Sequence, residues 1–199
     1  MTTIQCFFLG TPQFTKDDHA LKLTKAKGIA LLVYLAVERT TQTREQVMTL
    51  LWPDSLPQAA RKNLRNTLWD IGKTFDEDVV EVDGDSLRLA ESVWVDIHPF
   101  EDTSPAADSS QVSRLEEVVT LYRAPLADGL SLLDAPDFEL WLTTQQQRLD
   151  RHYLRLLDAL ITVHRAAANW QKVITYAQQA LIYDNLQEPM HQALMEAHA

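Results

Sequence analysis

The chain has 199 residues, 46% of them hydrophobic and 23% charged, with a formal net charge of -10. This is ordinary globular composition, enough for one large or two small domains, and it excludes a disordered chain. An anionic protein is repelled by phosphate at long range, so indiscriminate nucleic-acid binding is also excluded and any such contact must be local. Neither half is basic: residues 1–103 hold 11 Lys and Arg against 16 Asp and Glu, and residues 104–199 hold 7 against 12. The opening MTTIQCFFLG lacks a basic leader region, and no apolar run approaches the roughly 18 residues of a membrane span. The chain therefore reads as cytoplasmic, with no membrane partner. Its single cysteine, Cys6, lies in an apolar run and is expected to be buried.

Residues 4–9 form a β-type run, punctuated by Gly10, Pro12 and the Asp17-Asp18 pair, and residues 20–23 alternate Leu21 and Leu23 with Lys22. A small N-terminal sheet is expected. Over residues 25–38, Ile29, Leu32, Val33 and Ala36 recur at helical spacing, with Gly28 as the weak spot. Thr43-Arg44-Glu45-Gln46 has the form of a capping box and starts a second helix, which must end by Trp52 because Pro53 disfavours helical geometry in the residue before it. Asp54 and Ser55 can cap a third helix, with Pro57 tolerated in its first turn.

That third helix, residues 57–75, is amphipathic. A step of about 100° per residue puts Ala60, Leu64, Leu68, Ile71 and Phe75 on one stripe, opposite Gln58, Arg61, Lys62, Arg65, Asn66, Trp69 and Lys73. Four cations against one acid, Asp70, make a cationic face on an anionic chain. After it, Val80 and Val82 alternate with acids, Asp83-Gly84 supplies a tight turn, and Leu87 and Leu89 flank Arg88. The turn lacks the further ligands of a calcium loop. Strands, two helices, a longer helix and a hairpin make the order of a winged helix. In that fold the third helix can enter the major groove, about 12 Å wide, while the wing leans on the backbone, so the partner implied is double-stranded DNA.

EDTSPAADSSQ at 101–111 is acidic and Ser-rich and marks a boundary. Beyond it, Val112, Leu115, Val119 and Tyr122 line a helix, and residues 121–141 read as a turn-rich bridge. Leu149, Tyr153, Leu156, Leu160 and His164 then line a long helix. A break is expected at Ala168-Asn169, with Asn in the left-handed conformation, followed by a helix lined by Trp170, Val173, Ala177, Ala180 and Leu181, and by another from residue 189. Helix pairs with small residues at close contacts resemble tetratricopeptide units. The reading is an α+β winged-helix domain over 1–101, a linker over 102–111, and an all-α tetratricopeptide-like domain over 112–199. The unfinished helical series at the end is expected to continue in a longer protein.

The order of ALLVYLAVE at 30–38, LLWPD at 50–54, NLRNTL at 63–68, WVDIHPFE at 94–101, YRAPLADGL at 122–130 and DFELW at 137–141, with the helix pair around 170–184, resembles the SARP-type bacterial transcriptional regulators over nearly the whole chain. The resemblance implies an OmpR-type winged helix joined to a bacterial transcriptional activator domain. It implies DNA contact through Arg61, Lys62, Arg65, Asn66 and Lys73, with Arg88 on the wing. Arg65 and Asn66 are expected at base edges and Lys62 and Lys73 on phosphates. Protein partners through the helical domain, RNA polymerase or a second protomer in a homodimer, are implied as well. Where similar regulators continue with a second Leu-Arg step, this chain reads Trp69-Asp70-Ile71-Gly72-Lys73. Trp69 either touches the DNA backbone or packs on the sheet or the second domain, and packing is the expected role. Trp52, Trp94, Trp141 and Trp170 are expected in core or interface.

No metal-ligand spacing occurs among the six histidines, and no phosphate loop, nucleophile elbow or dinucleotide fingerprint occurs. No cofactor and no enzymatic activity are expected. The alternative function is a protein-interaction adaptor at the front of a larger signalling protein, in which the winged helix no longer binds DNA.

Overall fold

Alternation of Ile4, Cys6 and Phe8 with half-exposed neighbours makes the first strand one-sided, and the chain closes on that buried side. The computed structural model describes residues 3–106, 111–183 and 185–197. Packing divides them into two units: residues 1–97 with 124–145, and 98–123 with 146–199. The sequence reading divides the chain at residues 102–111 instead, and 107–110 of that stretch lie outside the described residues.

In the first unit, β1 (Ile4–Phe7), β2 (Gln13–Lys16) and β3 (His19–Leu21) form a meander, and β7 (Val93–Val95) adds parallel to β1, giving the order β3-β2-β1-β7. Asp17 and Asp18 both take positive φ, 49° and 63°, in the two-residue turn joining β2 to β3. The sequence reading has no strand at β2, because Gln13-Phe14-Thr15-Lys16 carries one apolar residue, Phe14. That ring makes edge contacts with Phe8 and Phe75, at 5.8 and 5.5 Å.

At the end of β7 the Asp96 side chain is fully buried, and its two oxygens accept hydrogen bonds from the Phe8 and Leu9 amides at 2.8 and 3.0 Å. Its own amide donates to the Cys6 carbonyl. Leu9 then bridges Leu126, and the Ala127 amide donates to the Phe8 carbonyl, so residues 124–145 join this unit. Cys6 is buried, and burial, with the Asp96 charge beside it, pushes its thiol up to about 12.

Helix α1 (Ala26–Glu38) follows, almost wholly buried from Ala30 to Val37. Gly28 sits where an added Cβ would lie 3.5 Å from Leu23 and 3.8 Å from Ile71, an ordinary contact distance. Strand β4 (Gln42–Thr43) leads into α2 (Arg44–Leu51), which starts on the predicted capping box of Thr43 and Gln46 and ends at Trp52 before Pro53. Helix α3 (Pro57–Phe75) follows, then β5 (Val80–Asp83) and β6 (Ser86–Leu89), a hairpin turning at Gly84 with φ 56°. β4 pairs with β6 to give a second sheet, β4-β6-β5.

Short helix α4 (Ile97–Glu101) leads to the second unit, which contains α5 (Val112–Val119), most of α6 (Pro136–Ala166), α7 (Trp170–Tyr183) and α8 (Glu188–Ala197). DFELW is therefore the first turn of a 31-residue helix, not the end of a bridge. Proline is tolerated at that start, and Asp137 and Glu139 favour the positive end of the helix dipole. Leu149, Tyr153, Leu156, Leu160 and His164 are all buried, as their spacing requires. His164 Nε2 lies 3.0 Å from Glu116 Oε1, and its ring stacks on Tyr176. The break after α6 is made by Ala168, at φ 53°, and not by Asn169, whose amide closes the turn onto the His164 carbonyl. Trp170 is 39% exposed and Leu181 half-buried, while Val173, Ala177 and Ala180 form the buried face of α7. Among the described residues no helix is long and apolar enough to cross a membrane, and no cluster of metal-ligating side chains occurs.

Asp96→Ala leaves two buried amides without acceptors, and is expected to cost at least about 2 kcal/mol in urea unfolding. Gly72→Ala meets no atom within 4 Å and lies at helical geometry inside α3. It is expected to raise stability by about 1 kcal/mol, read as a higher urea midpoint at unchanged slope.

Candidate nucleic-acid interface

Helix α3 buries Ala60, Leu64, Thr67, Ile71 and Phe75, with Leu68 half-buried. Thr67 thus shares the inner stripe, a short side chain that sequence periodicity assigned to neither face. Asp54 and Ser55 do not cap the helix: its N-cap is Leu56, without a side-chain hydrogen bond, and Pro57 occupies the first turn. The far end is held firmly. Asp76 takes the left-handed conformation at φ 53° and donates its amide to the Gly72 carbonyl, while Lys16 Nζ donates to the Phe75 carbonyl at 2.8 Å and pairs with Glu77 at 3.3 Å. One of the acids just beyond the helix is thereby matched by a sheet lysine.

The outer face carries Arg61, Lys62, Arg65, Asn66 and Lys73, all exposed. Among the described residues the side chains of Arg61, Lys62, Arg65 and Asn66 make no hydrogen bond or ion pair. Asp70, the one acid of the helix, is paired with Lys25, which removes its charge from that face. Trp69 does not pack on the sheet as expected. It is 63% exposed, with the Lys73 ammonium 5.0 Å from its ring centre. The reason is positional: one turn from both Arg65 and Lys73, it shares their outward direction.

The wing sits close to the start of α2. The Arg44 amide donates to the Asp85 carbonyl at 2.8 Å, and Arg44 Nε donates to the Gly84 carbonyl at 3.2 Å. Between α2, α3 and the wing turn lies a groove of about 640 Å³, whose polar rim includes Arg44, Arg61, Arg65 and Asp85 over a floor with Trp52 and Leu68. Arg44 is a cation that sequence reasoning did not bring to this face. Only the strand pairing of β4 with the wing reveals it, and a two-residue strand carries no hydrophobic pattern. Arg88, expected on the wing, lies on β6 with its guanidinium paired to Glu81 at 2.6 Å and to Glu91 at 3.2 Å. The Glu81 hydrogen bond and charge hold its pKa above the usual arginine value. The site brings together Arg44, Arg61 and Arg65, leaves Lys73 nearer the other end of α3, and gives Arg88 two acidic neighbours.

Residues 95–199 match the family model of the bacterial transcriptional activator domain. Among solved structures the chain is similar to Mycobacterium tuberculosis EmbR in complex with a low affinity phosphopeptide, at a TM-score of 0.70 and 18% sequence identity, covering 100% of this chain and 55% of that one. At that identity the likeness is one of fold, and the chain spans 55% of the length of the protein it matches. No curated protein sequence matches it. The winged-helix and helical units, and the family match over the second half, together show that the chain belongs to the bacterial transcriptional activator domain family, in the SARP-type arrangement.

Proposed function

We propose that the chain is a sequence-specific DNA-binding transcriptional activator, with α3 in the major groove and the helical unit contacting RNA polymerase or a second protomer. The observation that carries this reading is the unpaired, exposed set Arg61, Lys62, Arg65 and Asn66 on α3 of a net-anionic chain. Unpaired guanidinium and ammonium groups on a projecting helix suit phosphate oxygens and guanine, and an exposed Asn suits adenine. In this reading Arg65 and Asn66 meet base edges, Lys62 and Lys73 meet phosphates, and Trp69 lies beside the backbone contact of Lys73. Arg88, neutralised by Glu81 and Glu91, contributes least. Activation is then recruitment, with no reaction catalysed.

A second reading has its own support in the acidic wing, where Glu81 and Glu91 pair with Arg88 and Asp83 and Asp85 add negative charge at the turn. In that reading the chain is an adaptor that contacts only proteins.

Selection from a randomised duplex pool with the purified chain, followed by titration across salt concentrations, separates the two. Lys62→Ala is expected to weaken binding to all sequences and to reduce the log-log salt slope by about 0.9. Arg65→Ala is expected to cost about 1–3 kcal/mol on the selected site and to relax preference at one base pair. If the pool yields no preference and no binding at low salt, the DNA-binding reading is lost and the adaptor reading replaces it.

A further inference from the structure

The second unit holds a groove of about 600 Å³ between α6 and the start of α8. Arg148, Arg151 and Arg155 line it, spaced three and four residues apart and therefore on one face of α6. Leu154 and the buried Met190 give it an apolar floor, and Asp158 is its acidic member.

Elsewhere in this unit two cations are matched to acids, while Arg114 on α5 makes no ion pair among the described residues. Arg165 pairs with Glu196 at 3.0 Å and Lys172 with Glu116 at 3.1 Å. Within the groove Arg148 pairs with Glu101, whereas Arg151 spends its Nε on the Gln147 carbonyl of its own helix at 3.1 Å. Arg155 makes no side-chain hydrogen bond or ion pair among the described residues. A surplus of guanidinium groups thus sits beside apolar surface, on a chain whose net charge is -10.

Guanidinium forks bind carboxylates in paired hydrogen bonds, and an adjoining apolar floor rewards a ligand with a hydrophobic anchor. A nucleic-acid backbone would use the arginines but leave Leu154 and Pro189 uncovered. We propose that this groove docks an acidic segment of a partner protein, with carboxylates on Arg151 and Arg155 and one apolar side chain against Leu154 and Pro189. The inference rests on the reading of the helical unit as the protein-contacting half, and does not require α3 to bind DNA.

The test titrates the 199-residue chain with fluorescein-labelled peptides in which Asp and Glu flank one Leu, Ile or Phe, using Asn and Gln versions as neutral controls. The expected result is saturable binding of the acidic set, weakened at least about tenfold by Arg151→Ala with Arg155→Ala. A smaller loss is expected when the anchor becomes Ser, with the thermal midpoint of the double variant and its binding to the selected duplex unchanged. Equal binding of neutral controls, or binding indifferent to the double substitution, overturns the proposal. So does displacement of the peptide by duplex DNA from a chain carrying Arg61→Ala and Arg65→Ala, which would make the groove a phosphate site. Peptide binding as expected from a chain that selects no duplex leaves this inference standing and removes the DNA-binding reading alone.

Discussion

The buried carboxylate of Asp96 is the constraint on which the first unit depends. Two amides, those of Phe8 and Leu9, leave the end of β1 in a region without water, and each must find an acceptor. One side chain serves both, and in doing so it ties residue 8 to residue 96 across most of the unit's sequence. The Phe8 ring is thereby held in contact with Phe14, which touches Phe75 at the last residue of α3. The end of the proposed DNA-reading helix is thus anchored through three rings and one carboxylate, while its outer face carries none of that burden. This division of labour lets the outer face keep side chains that do nothing for stability.

Much of this arrangement was legible beforehand. Helix α2 was readable because Thr43, Gln46 and Pro53 mark its two ends by local chemistry. The buried stripes of α3 and α6 were readable because a 3.6-residue period survives in any tertiary context. The cationic set on α3 could be named from spacing alone, and the structure places it on the exposed face.

What was not legible was whatever depends on partners distant in sequence. β2 and β4 are too short and too polar to show a pattern, and exist because β1 and β6 offer them hydrogen bonds. Residues 121–141 read as a turn-rich bridge within the helical domain, yet the pairing of Leu9 with Leu126 accompanies the joining of residues 124–145 to the first unit. Arg88 looked like a free wing cation because Glu81 is seven positions away in sequence. Across a two-residue turn it is the facing residue. Trp69 misled because a large aromatic is usually buried, whereas its position between Arg65 and Lys73 fixed its direction regardless of its chemistry.

The break between α6 and α7 carries a consequence of its own. Alanine is the residue most content inside a right-handed helix, and the left-handed conformation that Ala168 adopts costs an L-residue about 1–2 kcal/mol. Local preference at this point therefore favours running α6 onward, and the turn is imposed from outside by burial of Val173, Ala177 and Ala180. Helix α7 is held folded back like a bent spring whose relaxed form is straight. Whatever loosens its buried face gives α6 a local reason to lengthen, so the two helices report on each other's packing through one strained alanine.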